Sequence, residues 1–224
     1  MDRKLILSIC DYSGAWVKPY KDDPAYTTVQ VDPKLAQGGP TIHGYGCHYK
    51  IGMTVAEFRR SGVYHSLKSF YEGVHGILLA PPCTDFAGSG ARWWPEKDAN
   101  GSTDSSCAII DECLALVEEC DPSWWALENP VGRLPTLFPK SLGPAKMWFH
   151  PCDHGDPYTK KTGLWGEFNT FGPSNPVEPV MYTDKNGKRG SWHWAKLGGK
   201  SERTKALRSN TPPGFATAFK NANP

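Results

Sequence analysis

Two consecutive prolines constrain this chain more than any other feature. Pro81 and Pro82 follow the apolar run Gly76-Ile77-Leu78-Leu79-Ala80, and two missing amide donors with fixed φ angles cannot continue a β-ladder. The run is therefore a strand that stops at Ala80, and Cys83 stands in the turn just beyond it. The pattern recurs. Leu5-Ile6-Leu7-Ser8-Ile9-Cys10 is a short apolar run closed by Asp11 and Gly14, and Trp124-Trp125-Ala126-Leu127 delivers Glu128-Asn129-Pro130. Residues 27–31 read as a further strand, ending at Asp32-Pro33. Apolar runs this short suit strands buried on both faces.

Between the runs lie helical or irregular crossovers. From 105 to 120, Ile109, Ile110, Cys113, Leu114, Val117 and Cys120 recur at three and four, one face of an amphipathic helix. Residues 55–60 suit a brief helix, and the glycine-rich stretch 34–50, without periodicity, reads as a long loop covering one edge of the sheet. Residues 147–150 and 163–165 are weaker strands, and Thr211-Pro212-Pro213 opens a terminal helix over 215–220. This alternation predicts one α/β domain built on a doubly wound, mostly parallel sheet. Ligands of such sheets gather at the carboxyl ends of the strands, where Asp11, Asp32, Cys83 and Glu128 all fall.

Composition sets limits on function. With 39% hydrophobic and 21% charged residues the chain is ordinary and globular, and no apolar run approaches the roughly 20 residues of a spanning helix. Residues 1–7 lack the apolar centre of a signal peptide, so a cytoplasmic protein with no membrane partner is expected. Seven cysteines without a CxxC pair point to reduced thiols. A net charge of +2 leaves the partner open. Gly198-Gly199-Lys200-Ser201 is no phosphate loop, because Trp194 stands where its first glycine belongs. Cys47-His48 and Cys152-Asp153-His154 lack finger spacing, so no metal is expected.

The residues at the strand ends carry the chemistry. A thiol in a rigid turn attacks an electrophile if neighbouring amides or cations lower its pKa. Taken alone, Cys83 reads equally as a small buried hydrophobe. Glu128, ending an apolar strand, is suited to keep a proton at neutral pH and donate it to a ring nitrogen, or to cap nearby amides. Asp32, ending a strand, falls at the edge where such sheets bind ligands, or simply serves the turn before Pro33.

In order along the chain, these motifs resemble the cytosine-5 DNA methyltransferases, in particular the short bacteriophage members. Pro81-Pro82-Cys83, with Phe86 and Ser89-Gly90, resembles the catalytic Pro-Cys motif, and Glu128-Asn129-Pro130 the Glu-Asn motif. Asp11-Tyr12-Ser13-Gly14 is similar to the donor-binding loop, with Trp16 close behind, and Asp32 matches the acid ending the second strand. Residues 155–162, with Lys160, are similar to the basic motif, and Ser209-Asn210-Thr211-Pro212 to the returning Asn-Ser segment. There are departures. Ala15-Trp16 replace further glycines, Tyr158 stands in place of a glutamine, and Thr162 in place of the last arginine.

The resemblance implies a Rossmann-like fold of the S-adenosylmethionine-dependent methyltransferase type. It also implies S-adenosylmethionine as donor, S-adenosylhomocysteine as product, and DNA as partner with the target cytosine flipped or single-stranded. Cys83, Glu128 and Lys160 would be catalytic. Asp11, Tyr12, Ser13, Gly14, Trp16, Asp32, Pro81 and Asn210 would hold the donor. Ser89, Arg92, Lys188, Arg189, Lys200 and Arg203 are candidate nucleic-acid contacts, with Lys185 and Lys196 and interleaved by Trp192 and Trp194; that basic stretch reads equally as a solvated loop around two buried rings. Residues 1–166 form the expected core, 167–202 a short target-recognition insertion, and 203–224 a segment returning to the core. So short an insertion implies relaxed sequence recognition. The same chemistry on RNA or a free cytosine nucleotide is an alternative, as is a catalytically silent DNA-binding protein.

Overall fold

Alternation along a single strand divides the molecule into two cores. In β1 (Lys4–Ile9), Leu5, Leu7 and Ile9 belong to one buried cluster and Ile6 to the other, as a period of two requires. The computed structural model describes residues 3–35, 43–45, 48–184, 186–187, 189–191 and 201–224. Its main sheet has eight strands in the order β3-β4-β2-β1-β5-β6-β8-β7. These are β2 (Tyr26–Val31), β3 (His43–Tyr45), β4 (His48–Ile51), β5 (Gly76–Leu79), β6 (Trp124–Pro130), β7 (Met147–Phe149) and β8 (Thr162–Glu167), together with β1. β4, β2, β1, β5 and β6 run parallel, and β3, β8 and β7 add antiparallel edges.

One face is covered by α2 (Val55–Arg59), α3 (Gly62–Phe70) and α5 (Ser102–Cys120), whose Phe58, Tyr64, Ile110, Cys113 and Leu116 pack onto Leu7, Ile77 and Leu79. A reciprocal capping box between Thr54 and Glu57 starts α2. On the other face lie the four-residue α1 (Lys18–Lys21) and the terminal α8 (Pro213–Ala222). Helices this short leave a gap that aromatic rings fill. Trp16 meets Phe219 at 5.4 Å, Tyr20 stacks on Trp124 at 5.6 Å, and Phe149 stacks on Phe215 at 3.8 Å. Several of the chain's tryptophans are thus packing residues.

The strands beginning at residues 4, 26 and 76 and the helix ending at Cys120 agree with expectation within a residue or two, although α5 begins earlier, at Ser102, and β6 runs three residues past Leu127, to Pro130. The stretch 34–50 needs correction. It supplies β3 and β4, and β4 extends the parallel sheet beyond β2. β4 is only four residues long and its burial does not alternate, so it does not stand out against the surrounding glycines. Further elements are α4 (Trp94–Ala99), α6 (Leu134–Leu137), α7 (Glu202–Ser209) and a two-stranded hairpin of β9 (Met181–Thr183) and β10 (Arg189–Ser191). Among the described residues no helix is long and apolar enough to cross a membrane.

Candidate active site

The register of the parallel strands brings the chemically capable residues to one edge. Val31 pairs with Ile9, Ile9 with Leu79, and Leu79 with Leu127, forming one row across the sheet. Asp32 and Glu128 are the next residues after that row, Asp11 follows by two and Cys83 by four. The strand order reverses between β1 and β5, the switch point at which open α/β sheets bind ligands.

The turn bearing Cys83 is held from both sides. The Cys83 carbonyl accepts the amides of Phe86 and Ala87 at 3.1 and 2.8 Å, while Gly88 donates to Val131 O and Arg133 to Phe86 O at 2.8 and 2.9 Å. A Cβ on Gly132 would lie 1.9 Å from Phe86 O, so only glycine permits the exit of β6 to approach the Cys83 turn this closely. Arg133 closes the arrangement. Its guanidinium reaches both Asp98 oxygens at 2.9 and 2.8 Å, Asp85 O at 2.9 Å and Thr103 Oγ1 at 2.8 Å, and lies over the Trp94 ring. Lys97 pairs with Asp85 at 2.8 Å and donates to Thr84 O at 2.6 Å.

Charge couples the thiol to the carboxyl. Cys83 is partly exposed, and burial pushes its pKa up. The Lys160 ammonium opposes that rise, Glu128 adds to it, and the Cys83 main-chain N–H and the Arg208 guanidinium favour the thiolate. Glu128 is 8% exposed. Burial raises its pKa too, against the pull of Lys160 and with the support of Asp11. Such a carboxyl retains a proton more readily than a solvated glutamate. Tyr158 is likewise held protonated, by burial first and then by the charges of Asp156 and Glu128. Beside Glu128, the carboxamide of fully buried Asn129 has no hydrogen-bond partner among the described residues, a group suited to a water or a polar ligand.

The loop after β1 is shaped by its own acid. Asp11 accepts Ser8 Oγ at 2.8 Å, Ser13 Oγ at 3.1 Å and the Gly14 amide at 2.8 Å. Gln30 of β2 donates to Asp11 O and to Tyr12 O, the latter at 3.0 Å, and Gly14 turns at φ 67°. Tyr12 projects outward, 54% exposed. Asp32 accepts the Lys34 amide on Oδ1 at 2.9 Å, while Oδ2 makes no hydrogen bond among the described residues; burial raises its pKa, against Lys34. Pro81 is buried and Asn210 half-buried. Trp16 has no exposed face for a ligand, because it packs between Phe215 and Phe219.

Of the candidate nucleic-acid contacts, Ser89 and Arg92 are exposed on the 3₁₀ turn Gly88–Trp93, with Arg92 over the exposed Trp93 ring. Arg189 is exposed on β10. Lys185, Lys188, Trp192, Trp194, Lys196, Lys200 and the Arg203 side chain lie outside the described residues. Arg208, Gln30, Arg133, Asp85, Lys97 and Asp98 shape the site without a motif to announce them. A signal for one of them does exist in Val131-Gly132-Arg133, a turn placed directly after Pro130.

No protein-family model matches the chain, and no curated protein matches it. Among solved structures it is similar to an Escherichia coli protein described as a DNA modification methyltransferase encoded within a prophage. The TM-score is 0.53 at 15% identity, over 92% of this chain and 69% of that one. At that identity the likeness concerns architecture alone: the two share a doubly wound, mostly parallel Rossmann-like sheet.

Proposed function

We propose that this chain transfers a methyl group from S-adenosylmethionine to carbon 5 of cytosine in DNA, with short or relaxed sequence recognition. The observation that carries the reading is the position of Cys83 and Glu128 just past the carboxyl ends of the adjacent parallel strands β5 and β6, where Lys160 favours the charged form of both. The motif order along the chain and the likeness to a protein described as a DNA modification methyltransferase support it.

The residues beyond β1 and β2 fit the donor. Asp32 keeps one carboxylate oxygen for a ribose hydroxyl, and the loop from Asp11 to Gly14 offers backbone and the exposed Tyr12 ring. When bound, S-adenosylmethionine supplies an electrophilic methyl group. Carbon 5 of cytosine is a weak nucleophile until the ring gains electron density. Cys83 adds as thiolate to carbon 6, forming a C–S bond, while Glu128 places its proton at nitrogen 3 and the ring's electron pair moves toward carbon 5. Lys160 steadies the thiolate and the ionised Glu128. After methylation, carbon 5 gives up its proton to water, the C–H electrons form the 5,6 double bond, the C–S electrons return to sulfur, and Glu128 recovers its proton from nitrogen 3.

In this reading residues 1–166 are the catalytic core, 167–202 recognise the target, and 203–224 return to the core. The β9–β10 hairpin carries exposed Val180, Met181 and Tyr182 nearby, and with Arg92, Trp93 and Arg189 it would meet DNA whose target base has left the stack. Incubation with labelled S-adenosylmethionine and duplex DNA, single-stranded DNA, RNA or deoxycytidine monophosphate tests the substrate. Label in DNA as 5-methylcytosine supports the proposal; label only in RNA or the free nucleotide, or in none, overturns it.

A further inference from the structure

Trp16, Trp124 and Trp165 are buried packing residues, and Trp148 is not. It lies on the edge strand β7 and is 42% exposed. The ring is held nonetheless. Trp148 pairs with Gly163 of β8, and a Cβ on Gly163 would lie 3.0 Å from the Trp148 ring and 2.8 Å from that of Trp165. The missing side chain lets the two rings meet over the strand, with centres 6.0 Å apart and edge to face, and Trp165 is itself tied to Gly143 O through its indole N–H at 3.0 Å. Lys161 Nζ stands 5.0 Å from the centre of the Trp148 ring. The indole is thus anchored on one side, open to solvent on another and beside a cation, the combination on which single-stranded nucleic acids bind.

A second such pair is carried on the other side of β6. The Arg92 guanidinium lies 5.0 Å over the exposed ring of Trp93. Val131, exposed at the exit of β6, joins the two segments: its carbonyl accepts the Gly88 amide at 2.8 Å, and its amide donates to Lys161 O at 3.1 Å. Neither Arg92 nor Lys161 makes an ion pair among the described residues, so no carboxylate there matches either charge.

We propose that Trp148 and Lys161 form a binding position for one nucleotide of single-stranded DNA, on the β7 side of the strand exits that carry Cys83 and Glu128. The assignment rests on DNA being the substrate, as proposed above. The base stacks on the exposed indole, and the ammonium turns from the ring to the adjacent phosphate. Bases in a duplex already stack on one another, so a surface indole finds a free base face only where the strand is single. Every base has such a face, and the position therefore adds affinity without reading sequence. With Arg92 and Trp93 across Val131, it holds the strand on both sides of the β6 exit.

The test is the affinity of the full chain for a fluorescently labelled oligothymidine, measured by anisotropy over a range of salt concentrations. Trp148→Ala is expected to weaken binding by about fivefold or more, and Trp148→Phe, which keeps a ring, to stay within about twofold of the unmodified protein. Lys161→Gln is expected to lower the slope of log affinity against log salt by about 0.7. Affinity of Trp148→Ala for the paired duplex with oligoadenosine should be unchanged. Unchanged oligothymidine affinity in Trp148→Ala, an equal loss on the duplex, a Lys161→Gln slope equal to that of the unmodified protein, or a chain that binds no oligothymidine overturns the assignment. Lys161 is exposed, so its variant decides the matter should Trp148→Ala fail to fold. Oligothymidine contains no cytosine and the measurement needs no methyl donor. A protein that binds it through Trp148 yet methylates nothing defeats the proposed function and leaves this position intact, and DNA methylation with affinity indifferent to Trp148 does the reverse.

Discussion

Arg133 holds Asp98 through both terminal nitrogens, at 2.9 and 2.8 Å, across 35 positions of chain. This fork joins the exit of β6 to α4, and with Lys97 and Asp85 it closes the segment that follows Cys83. Asp98 is held below the ordinary carboxylate range by hydrogen bonds from Arg133 and then Thr103. Burial raises Asp85, but Lys97 and Ser106 outweigh it and its pKa is also lowered. Both carboxylates therefore favour the closed segment above their ordinary pKa, about 4, and that contribution is lost as pH falls through their lowered values.

Arg133→Ala should loosen residues 84–101 without unfolding the sheet. Limited proteolysis is expected to cut within that segment on the order of ten times faster than in the unmodified protein. Cleavage at an unchanged rate would mean the fork contributes nothing to the order of the loop.

Gly132→Ala places a methyl group where Phe86 O already stands, 1.9 Å from the new atom. Overpacking of this kind costs about 1–3 kcal/mol. The strain falls between the Cys83 turn and the strand bearing Glu128. Methyl transfer is expected to fall by about 100-fold, with a cooperative thermal transition retained. A variant of normal activity would show that the spacing of these two strand exits is not critical.

Glu128→Gln separates stability from activity. Burial raises the folded-state pKa, so the folded chain binds this proton more tightly than the unfolded one. The resulting stability is fully present below the ordinary glutamate value, about 4.3, and is lost as pH rises through the raised value. At pH 8 the neutral amide removes a buried carboxylate, and the thermal midpoint should rise by about 2–5 °C. Methyl transfer should fall by about 100-fold or more. A lower midpoint at pH 8 would contradict this account of the burial.

Gln30→Leu removes the amide that holds Asp11 O and Tyr12 O. The loop after β1 loses its link to β2 while the strand keeps a side chain of similar size. Titration with S-adenosylhomocysteine is expected to show about tenfold weaker binding, and unchanged affinity would assign that loop another role.

Much of this architecture is legible in the sequence because the central strands are buried on both faces. Runs such as Gly76 to Ala80 or Leu5 to Ile9 have no other use for so many apolar residues, and prolines or acids mark their ends. Cys83, Glu128 and Asp32 are readable for the same reason, since a strand end fixes where they stand. β4 is harder to see. His48 to Ile51 is short, and its place beside β2 depends on a pairing that no local pattern encodes. The antiparallel order of β8 and β7 is hidden likewise. Trp16 shows the limit of motif position, because the demand for aromatic filling beneath α8 outweighs its nearness to the loop after β1. Arg133 looks like an ordinary turn cation until its bonds to Asp85 O, Asp98 and Thr103 place it behind the Cys83 turn.

The central claim is that the sulfur of Cys83 forms a bond to carbon 6 of a cytosine. DNA containing 5-fluorocytosine, incubated with the protein and S-adenosylmethionine, traps that bond because fluorine on carbon 5 cannot leave as a proton does. The account predicts a denaturation-resistant complex that mass spectrometry locates on the peptide containing Cys83, absent from Cys83→Ala. Methylated cytosine with no such complex, or an adduct on another cysteine, would contradict it.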